Sequence, residues 1–292
     1  MSRASSARRV FGRSSGGVVA VGVAAGVLAA VSLSGTAGAS GGSGSGAASA
    51  SASGVKPTIV LEHGAFADTS SWTGVIERLE KSGYPVVAAA NPLRGPASDA
   101  GYLRSIVDRI DGPVVLVGHS YGGTVISDAA AGHEDKVKAL VYIAAFLPDT
   151  GETSLGLSNK FPGSTLGDAI EAVPYSLPGG TSGNDVYIKA DKFRQQFAAD
   201  VSRRQAALMA AMQRPIAAAA LEEKATKAAW KTIPSWSLIA TQDLNIPPAS
   251  QRFMSERADA HTVEVKASHA VPVSRPDAVS RVIQQAATAT AR

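Results

Sequence analysis

The stretch "VLVGHSYGGTV", residues 115–125, places Ser120 where an apolar run ends in glycine and a helical pattern begins. A hydroxyl at a sharp strand-to-helix turn stands above the sheet edge and faces a helix N-terminus, where developing negative charge is favoured. Gly118 and Gly122 leave room for so tight and strained a turn. The G-x-S-x-G spacing alone is common. With a strand before it and a helix after it, it marks Ser120 as a nucleophile for acyl transfer.

A serine hydroxyl is a poor nucleophile unless a base takes its proton, and the chain has five histidines. His119 adjoins Ser120, and its side chain should point away from the hydroxyl across the turn. His63 ends the first strand beside Gly64, a place for ordering a loop by hydrogen bonding. His133 sits in the polar loop "AGHEDK", and His261 opens a strand toward solvent. His269, in "KASHAVPVSRP", leaves the last strand at the same sheet edge as Ser120 and is the candidate base.

An imidazole base needs a carboxylate to hold its tautomer and stabilise the imidazolium. Asp243 in "LIATQDLNIPP" directly follows a strand and precedes His269. It lies one strand nearer the histidine loop than its rival, Asp149 in "AAFLPDTG", and is the expected acid. An oxyanion hole must complete the set. One donor is expected on Tyr121, the residue after the nucleophile. The other is expected on the loop after "VLEHG", at Ala65 with Phe66 as the alternative.

The elements that must position these residues alternate along the chain. Apolar, β-branched runs at "TIVLEHG", "PVVAAAN", "PVVLVG", "VKALVYIAAF", "SWSLIAT" and "HTVEVKA" read as strands. Between and after them lie helical patterns: "SWTGVIERLEKSGY" stopped by Gly83, "SDAGYLRSIVDRIDG" capped by Ser98, "GGTVISDAAAG", "PASQRFMSERA" and "PDAVSRVIQQAA". Strands this apolar, alternating with helices, predict an α/β fold with a mostly parallel sheet covered on both faces. About residues 149–232 interrupt the alternation, starting Gly/Pro/Ser-rich and continuing into long helical runs. This mostly helical insertion is expected to form a lid over the carboxyl ends of the strands, with Leu208, Met209 and Met212 in the lid core. Arg203 and Arg204 read as a solvated helix face.

His63-Gly64-Ala65-Phe66, Trp72, the G-H-S-Y-G-G turn, "TQDLNIPP" and "ASHAVPVSRP" resemble α/β-hydrolase-fold esterases of the group containing plant methyl esterases and hydroxynitrile lyases. The resemblance covers nearly all of residues 55–287. It implies a triad of Ser120, Asp243 and His269, and carboxylic ester hydrolysis without a cofactor or metal. The lyase members carry a lysine just after the catalytic histidine and a threonine in the first loop. Ala270 and Gly64 stand at those positions here, which counts against cyanohydrin cleavage. Ser120 likewise counts against the dehalogenases of the fold, which use an aspartate nucleophile.

The first 39 residues read as an export signal. They open with four arginines and no acid, run through an apolar stretch and end in the cleavage pattern Ala37-Gly38-Ala39. Arg8-Arg9-Val10-Phe11 resembles the twin-arginine signal, although Ala7 and Gly12 depart from its usual flanks. The apolar run is short and rich in Gly and Ser, unlike a membrane anchor. Residues 40–54 are a Gly/Ser-rich linker, which makes residues 55–292 the folded domain. Without the four signal arginines, the 28 basic residues fall to 24 against 24 acidic ones, so the charge predicts no nucleic-acid partner. The absence of cysteine excludes disulfides, thiolate metal sites and cysteine nucleophiles.

The whole predicts a secreted serine hydrolase acting on a small-molecule ester. Lactone or C–C bond hydrolysis by the same triad, or a ligand-binding receptor on the hydrolase fold, are the alternatives.

Overall fold

The computed structural model describes residues 55–176, 179–180 and 182–291, so the expected export signal at 1–39 and the expected linker at 40–54 lie outside the described residues. The chain runs through β1 (Thr58–Glu62), α1 (Thr73–Lys81), β2 (Val86–Ala89), α2 (Pro96–Asp108), β3 (Val114–His119), α3 (Gly122–Ala130) and β4 (Val137–Ile143). After the insertion come β8 (Ser235–Ala240), α9 (Pro248–Arg257), β9 (His261–Val265), α10 (Val271–Ser274) and α11 (Pro276–Ala289). The six strands pair in the order β2-β1-β3-β4-β8-β9, and every pairing is parallel.

The near-continuous apolar composition of the central strands follows from burial on both faces. Ile59, Leu61, Val115, Val117 and Val141 face α1 and α11, where they meet Val75, Leu79, Val279 and Ile283. Val60, Leu116, Leu140 and Tyr142 face α2 and α3, against Leu103, Val107, Val125 and Ile126. Each of these fully buried aliphatic side chains contributes about 1.5–3 kcal/mol. The chain steps from β1 outward to β2, then crosses back to lay β3 on the other flank of β1. Loops leaving β1 and β3 therefore diverge at their carboxyl ends and open a crevice there. Ser120 follows β3 and Ala65 follows β1, at the mouth of that crevice.

Helix α2 begins at Pro96, two residues before the expected cap at Ser98, with Gly95 at the cap position. Proline suits the first helical turn, where its missing N–H is not needed. The Asp99 carboxylate accepts the backbone N–H groups of Arg94 and Gly95, and the Ser98 hydroxyl turns back to the Gly95 carbonyl at 3.0 Å.

The insertion holds α4 (Ser154–Ser158), α5 (Leu166–Ala169), β5 (Ile170–Ser176), β6 (Ser182–Ile188), α6 (Ala190–Phe197), α7 (Arg203–Met212), β7 (Ile216–Ala217) and α8 (Ala218–Glu222). Its helices are shorter than the long helical runs expected, none exceeding the ten residues of α7, and β5, β6 and β7 form a three-stranded antiparallel sheet that the helical reading overlooks. "IEAVPYS" and "SGNDVYI" are joined in the sequence by a segment containing Gly179-Gly180, which is a hairpin pattern. A second correction concerns α7. Its buried stripe runs through Ala206, and Met209 packs partly against the core. Leu208 and Met212 are 49% and 46% exposed, so neither belongs to a lid core. Arg203 and Arg204 are exposed. Among the described residues no helix is long and apolar enough to cross a membrane.

Candidate active site

Ser120 has φ of +55°, a left-handed conformation that a non-glycine residue adopts only under constraint. The constraint comes from its backbone bonds. Its N–H donates to Ile143 O at 3.3 Å, and its carbonyl accepts from Gly123 at 3.0 Å and Phe146 at 3.2 Å. A Cβ at Gly118 would stand 2.5 Å from Gly122 O, so the turn closes only with glycine there.

The turn aims the Ser120 hydroxyl at His269, with Oγ 2.9 Å from Nε2. The other ring nitrogen, Nδ1, lies 2.6 Å from Asp243 Oδ2. Asp243 and His269 are both buried. A carboxylate only accepts, so Nδ1 carries the proton, Nε2 is left as an acceptor, and the serine hydroxyl donates to it. Asp243 is held in turn: Oδ1 accepts the N–H groups of Asn245 (2.7 Å) and Ile246 (3.0 Å), and Oδ2 accepts from Gln251 Nε2 (2.9 Å). Asp149, the rival acid, sits at the base of the insertion and pairs with Lys231 at 2.5 Å. That lysine holds its carboxyl below the usual range.

The N–H groups expected to form an oxyanion hole can be told apart by what they meet. Phe66 N–H is given to Arg214 O at 2.9 Å. The N–H groups of Ala65 and Tyr121 meet no backbone acceptor among the described residues. Ala65, Ser120 and Tyr121 line one narrow cavity, together with Phe146, Leu221 and Ile246. The Tyr121 side chain turns away from it, its hydroxyl donating to Asp99 Oδ2 at 2.9 Å. Burial first, and Asp99 second, push the Tyr121 phenol far above its usual range.

Two histidines play parts that sequence patterns only partly reveal. His119 is not idle: its Nε2–H donates to the His269 carbonyl at 2.9 Å, and its ring packs 4.8 Å from the His269 ring. Burial keeps it neutral by driving its pKa well down. His63 orders the first loop. Its Nδ1–H donates to Gly64 O at 2.9 Å, and its Nε2 accepts Asn91 N–H at 3.1 Å. His133 pairs with Asp108 at 3.3 Å near the surface, and His261 stacks on Trp236. Glu62 is an unforeseen feature. Its carboxyl is fully buried without a hydrogen-bond partner, and burial, then Asp99, raise its pKa well above the usual value. No group of three or more His, Asp or Glu side chains among the described residues could hold a metal ion.

His63 makes the fold sensitive to acid. Burial is the largest cause that pushes its pKa down to about 4, and Arg214 adds to it. A proton on Nε2 would also cost the bond from Asn91. Between pH 6.5 and 4 the unfolded chain binds the proton and the folded chain does not. Stability from this group is therefore complete above pH 6.5 and is lost as pH falls toward 4. The span corresponds to roughly 3 kcal/mol. Denaturant titrations of wild type and His63→Gln should show the wild-type advantage shrinking over that window. A constant difference down to pH 4 would contradict the assignment.

Residues 59–282 match the model of the alpha/beta hydrolase family. The chain is 28% identical over 261 residues to a pyrethroid hydrolase of Sphingobium wenxiniae, a match covering 80% of this chain and 88% of that protein. It is 33% identical over 127 residues to methylesterase 2 of Arabidopsis thaliana, covering 37% of this chain and 47% of that one. Among solved structures, polyneuridine aldehyde esterase superposes with a TM-score of 0.69 at 20% identity, covering 79% of this chain and 99% of that one, a likeness of fold.

Proposed function

Because the chain belongs to the alpha/beta hydrolase family, we propose that it is a secreted serine esterase, cleaving small carboxylic esters through Ser120, His269 and Asp243. The observation that carries the reading is the hydrogen-bonded line from Ser120 through His269 to Asp243, set beside two backbone N–H groups that meet no backbone acceptor among the described residues. Relatives named as an esterase, methylesterases and a pyrethroid hydrolase support ester chemistry.

Ser120 Oγ attacks the ester carbonyl carbon while its proton passes to His269 Nε2. Asp243 stabilises the imidazolium that forms. The tetrahedral oxyanion accepts the N–H groups of Ala65 and Tyr121. One such donor is worth about 10²–10³ in kcat. Collapse expels the alkoxide, which takes the proton from His269 and leaves as alcohol. Water then attacks the acyl-enzyme with His269 as base. The acid departs, and the proton returns to Ser120. No step draws on a cofactor.

Cyanohydrin cleavage is disfavoured by the space around Gly64. A Cβ there would stand 2.6 Å from Ser120 Cβ, so the threonine of the lyases would not fit without rearrangement. Turnover of p-nitrophenyl butanoate by the purified chain, with Ser120→Ala as the blank, tests the reading. Hydrolysis unaffected by the substitution would refute it.

Export belongs to the same proposal and rests on residues 1–39. The twin-arginine route reads the arginine pair specifically. Arg8→Lys with Arg9→Lys should hold the precursor inside the cell, and the secreted wild type should begin near Ser40. Undiminished secretion of the double variant would assign the general route instead.

A further inference from the structure

The cavity against Ser120 is narrow, about 40 Å³, and its wall is apolar along Phe146, Leu155, Leu221 and Ile246. Asn245 interrupts that wall. It is only 3% exposed, and a polar side chain so placed costs free energy unless its groups are matched. Most of them are. Its backbone N–H donates to Asp243 Oδ1 at 2.7 Å, and its carbonyl accepts from Ser158 Oγ at 2.8 Å and Ser164 Oγ at 3.0 Å. Its side-chain Oδ1 accepts from Gln196 Nε2 at 2.8 Å.

The partners fix which way the Asn245 amide faces. Gln196 Nε2 also stands 2.8 Å from the Leu244 carbonyl, which can only accept, so that Gln196 atom is the nitrogen. Gln196 Oε1 accepts from Thr165 Oγ1 at 2.8 Å, which agrees. The Asn245 atom facing Gln196 is therefore oxygen, and the two N–H bonds of Nδ2 are left over. Nδ2 meets no acceptor among the described residues, and it is not one of the unpaired atoms sealed inside the protein.

We infer that Asn245 is a specificity-determining hydrogen-bond donor, and that the ester arm entering this cavity is short and carries an ether or carbonyl oxygen a few bonds from the scissile carbonyl. The inference rests on ester hydrolysis at Ser120. Gln196, Ser158 and Ser164 hold the donor still, so an arm bearing an acceptor gains the bond at little ordering cost, while an all-carbon arm leaves Nδ2 unpaired against an apolar chain.

The test uses shape-matched esters and the full chain. Butanoate is paired with methoxyacetate and pentanoate with 3-methoxypropanoate, all as p-nitrophenyl esters. Butyl acetate is paired with 2-methoxyethyl acetate, which has the same chain length, so that both arms of the ester are sampled. Each ratio of kcat/KM is divided by the ratio of hydroxide-catalysed rates, which removes intrinsic reactivity. Wild type should favour the oxygen-bearing member of at least one pair by about tenfold. Asn245→Leu removes the donor. Asn245→Asp removes it too while keeping an oxygen for Gln196, which guards against a collapse of the wall. Both should bring the normalised ratio near unity. No normalised preference in any pair, or a preference that survives both substitutions, would overturn the assignment. If Ser120→Ala still hydrolyses these esters, the failure lies with the serine-esterase reading and not with the donor.

Discussion

Replacing Ser120 with alanine is expected to lower kcat for ester hydrolysis by at least about 10³-fold while leaving the fold in place. The side chain makes one hydrogen bond, from Oγ to His269 Nε2, so its removal orphans only the base. Everything that holds the turn is backbone: the bonds to Ile143, Gly123 and Phe146 survive the substitution. Alanine meets the same strain at φ of +55° that serine already bears, so the native turn gains no new penalty. Without Oγ there is neither a proton to transfer nor a bond to form with the acyl group. Initial rates with p-nitrophenyl butanoate, together with a thermal melt, separate a chemical loss from an unfolding one. Near-wild-type turnover in a folded variant would remove Ser120 from the mechanism.

Asp243→Asn is expected to cost on the order of 10⁴-fold in kcat/KM, as the analogous change does in other serine triads. Oδ1 accepts two backbone N–H groups, from Asn245 and Ile246, so an asparagine would keep its oxygen there. Its amide nitrogen would then take the place of Oδ2, facing His269 Nδ1 and Gln251 Nε2. A donor in that place turns the imidazole to the other tautomer, with the proton on Nε2 facing a hydroxyl that must itself lose one. The charge that steadies the imidazolium goes as well. Some stability should be lost too, because Gln251 would face a donor where it now has an acceptor. Asp149→Asn is the contrast. Its partner, Lys231, is 51% exposed, and such pairs contribute about 0–1 kcal/mol. Its kcat/KM should stay within a few-fold of wild type. A crippled Asp149→Asn beside an active Asp243→Asn would move the acid to the earlier strand.

The parts of this molecule that are legible in the sequence are those governed by strict local geometry. A parallel strand buried on both faces has to be apolar, and a hydroxyl lifted off its end needs small neighbours, so "VVLVGHSYGG" announces both the strand and the turn. Asp243 and His269 can be placed because each directly follows a strand at the carboxyl edge of a sheet whose direction the alternation implies. The antiparallel hairpin of the insertion is harder to read. Its strands are half exposed, and "DVYIKADKFRQQF" passes from β6 into α6 without a glycine or proline to mark the boundary. Leu208 and Met212 mislead for a related reason: helical spacing identifies a stripe but not which stripe meets the core, and α7 turns the smaller Ala206 inward. His119, Glu62 and Asn245 depend on contacts between residues far apart in the chain. The bond from His119 to the His269 carbonyl spans 150 positions, beyond the reach of any local pattern. The choice between Ala65 and Phe66 likewise turns on Arg214 O, a carbonyl supplied by the insertion.

The most direct measurement of the central claim is covalent trapping of the nucleophile. Purified chain treated with diethyl p-nitrophenyl phosphate should release one equivalent of nitrophenolate and gain one diethylphosphoryl group, with activity falling in proportion to label. Peptide mapping should place that group on Ser120, and Ser120→Ala should take up none. Complete inhibition with Ser120 unmodified, or stoichiometric label on another residue, would contradict the account.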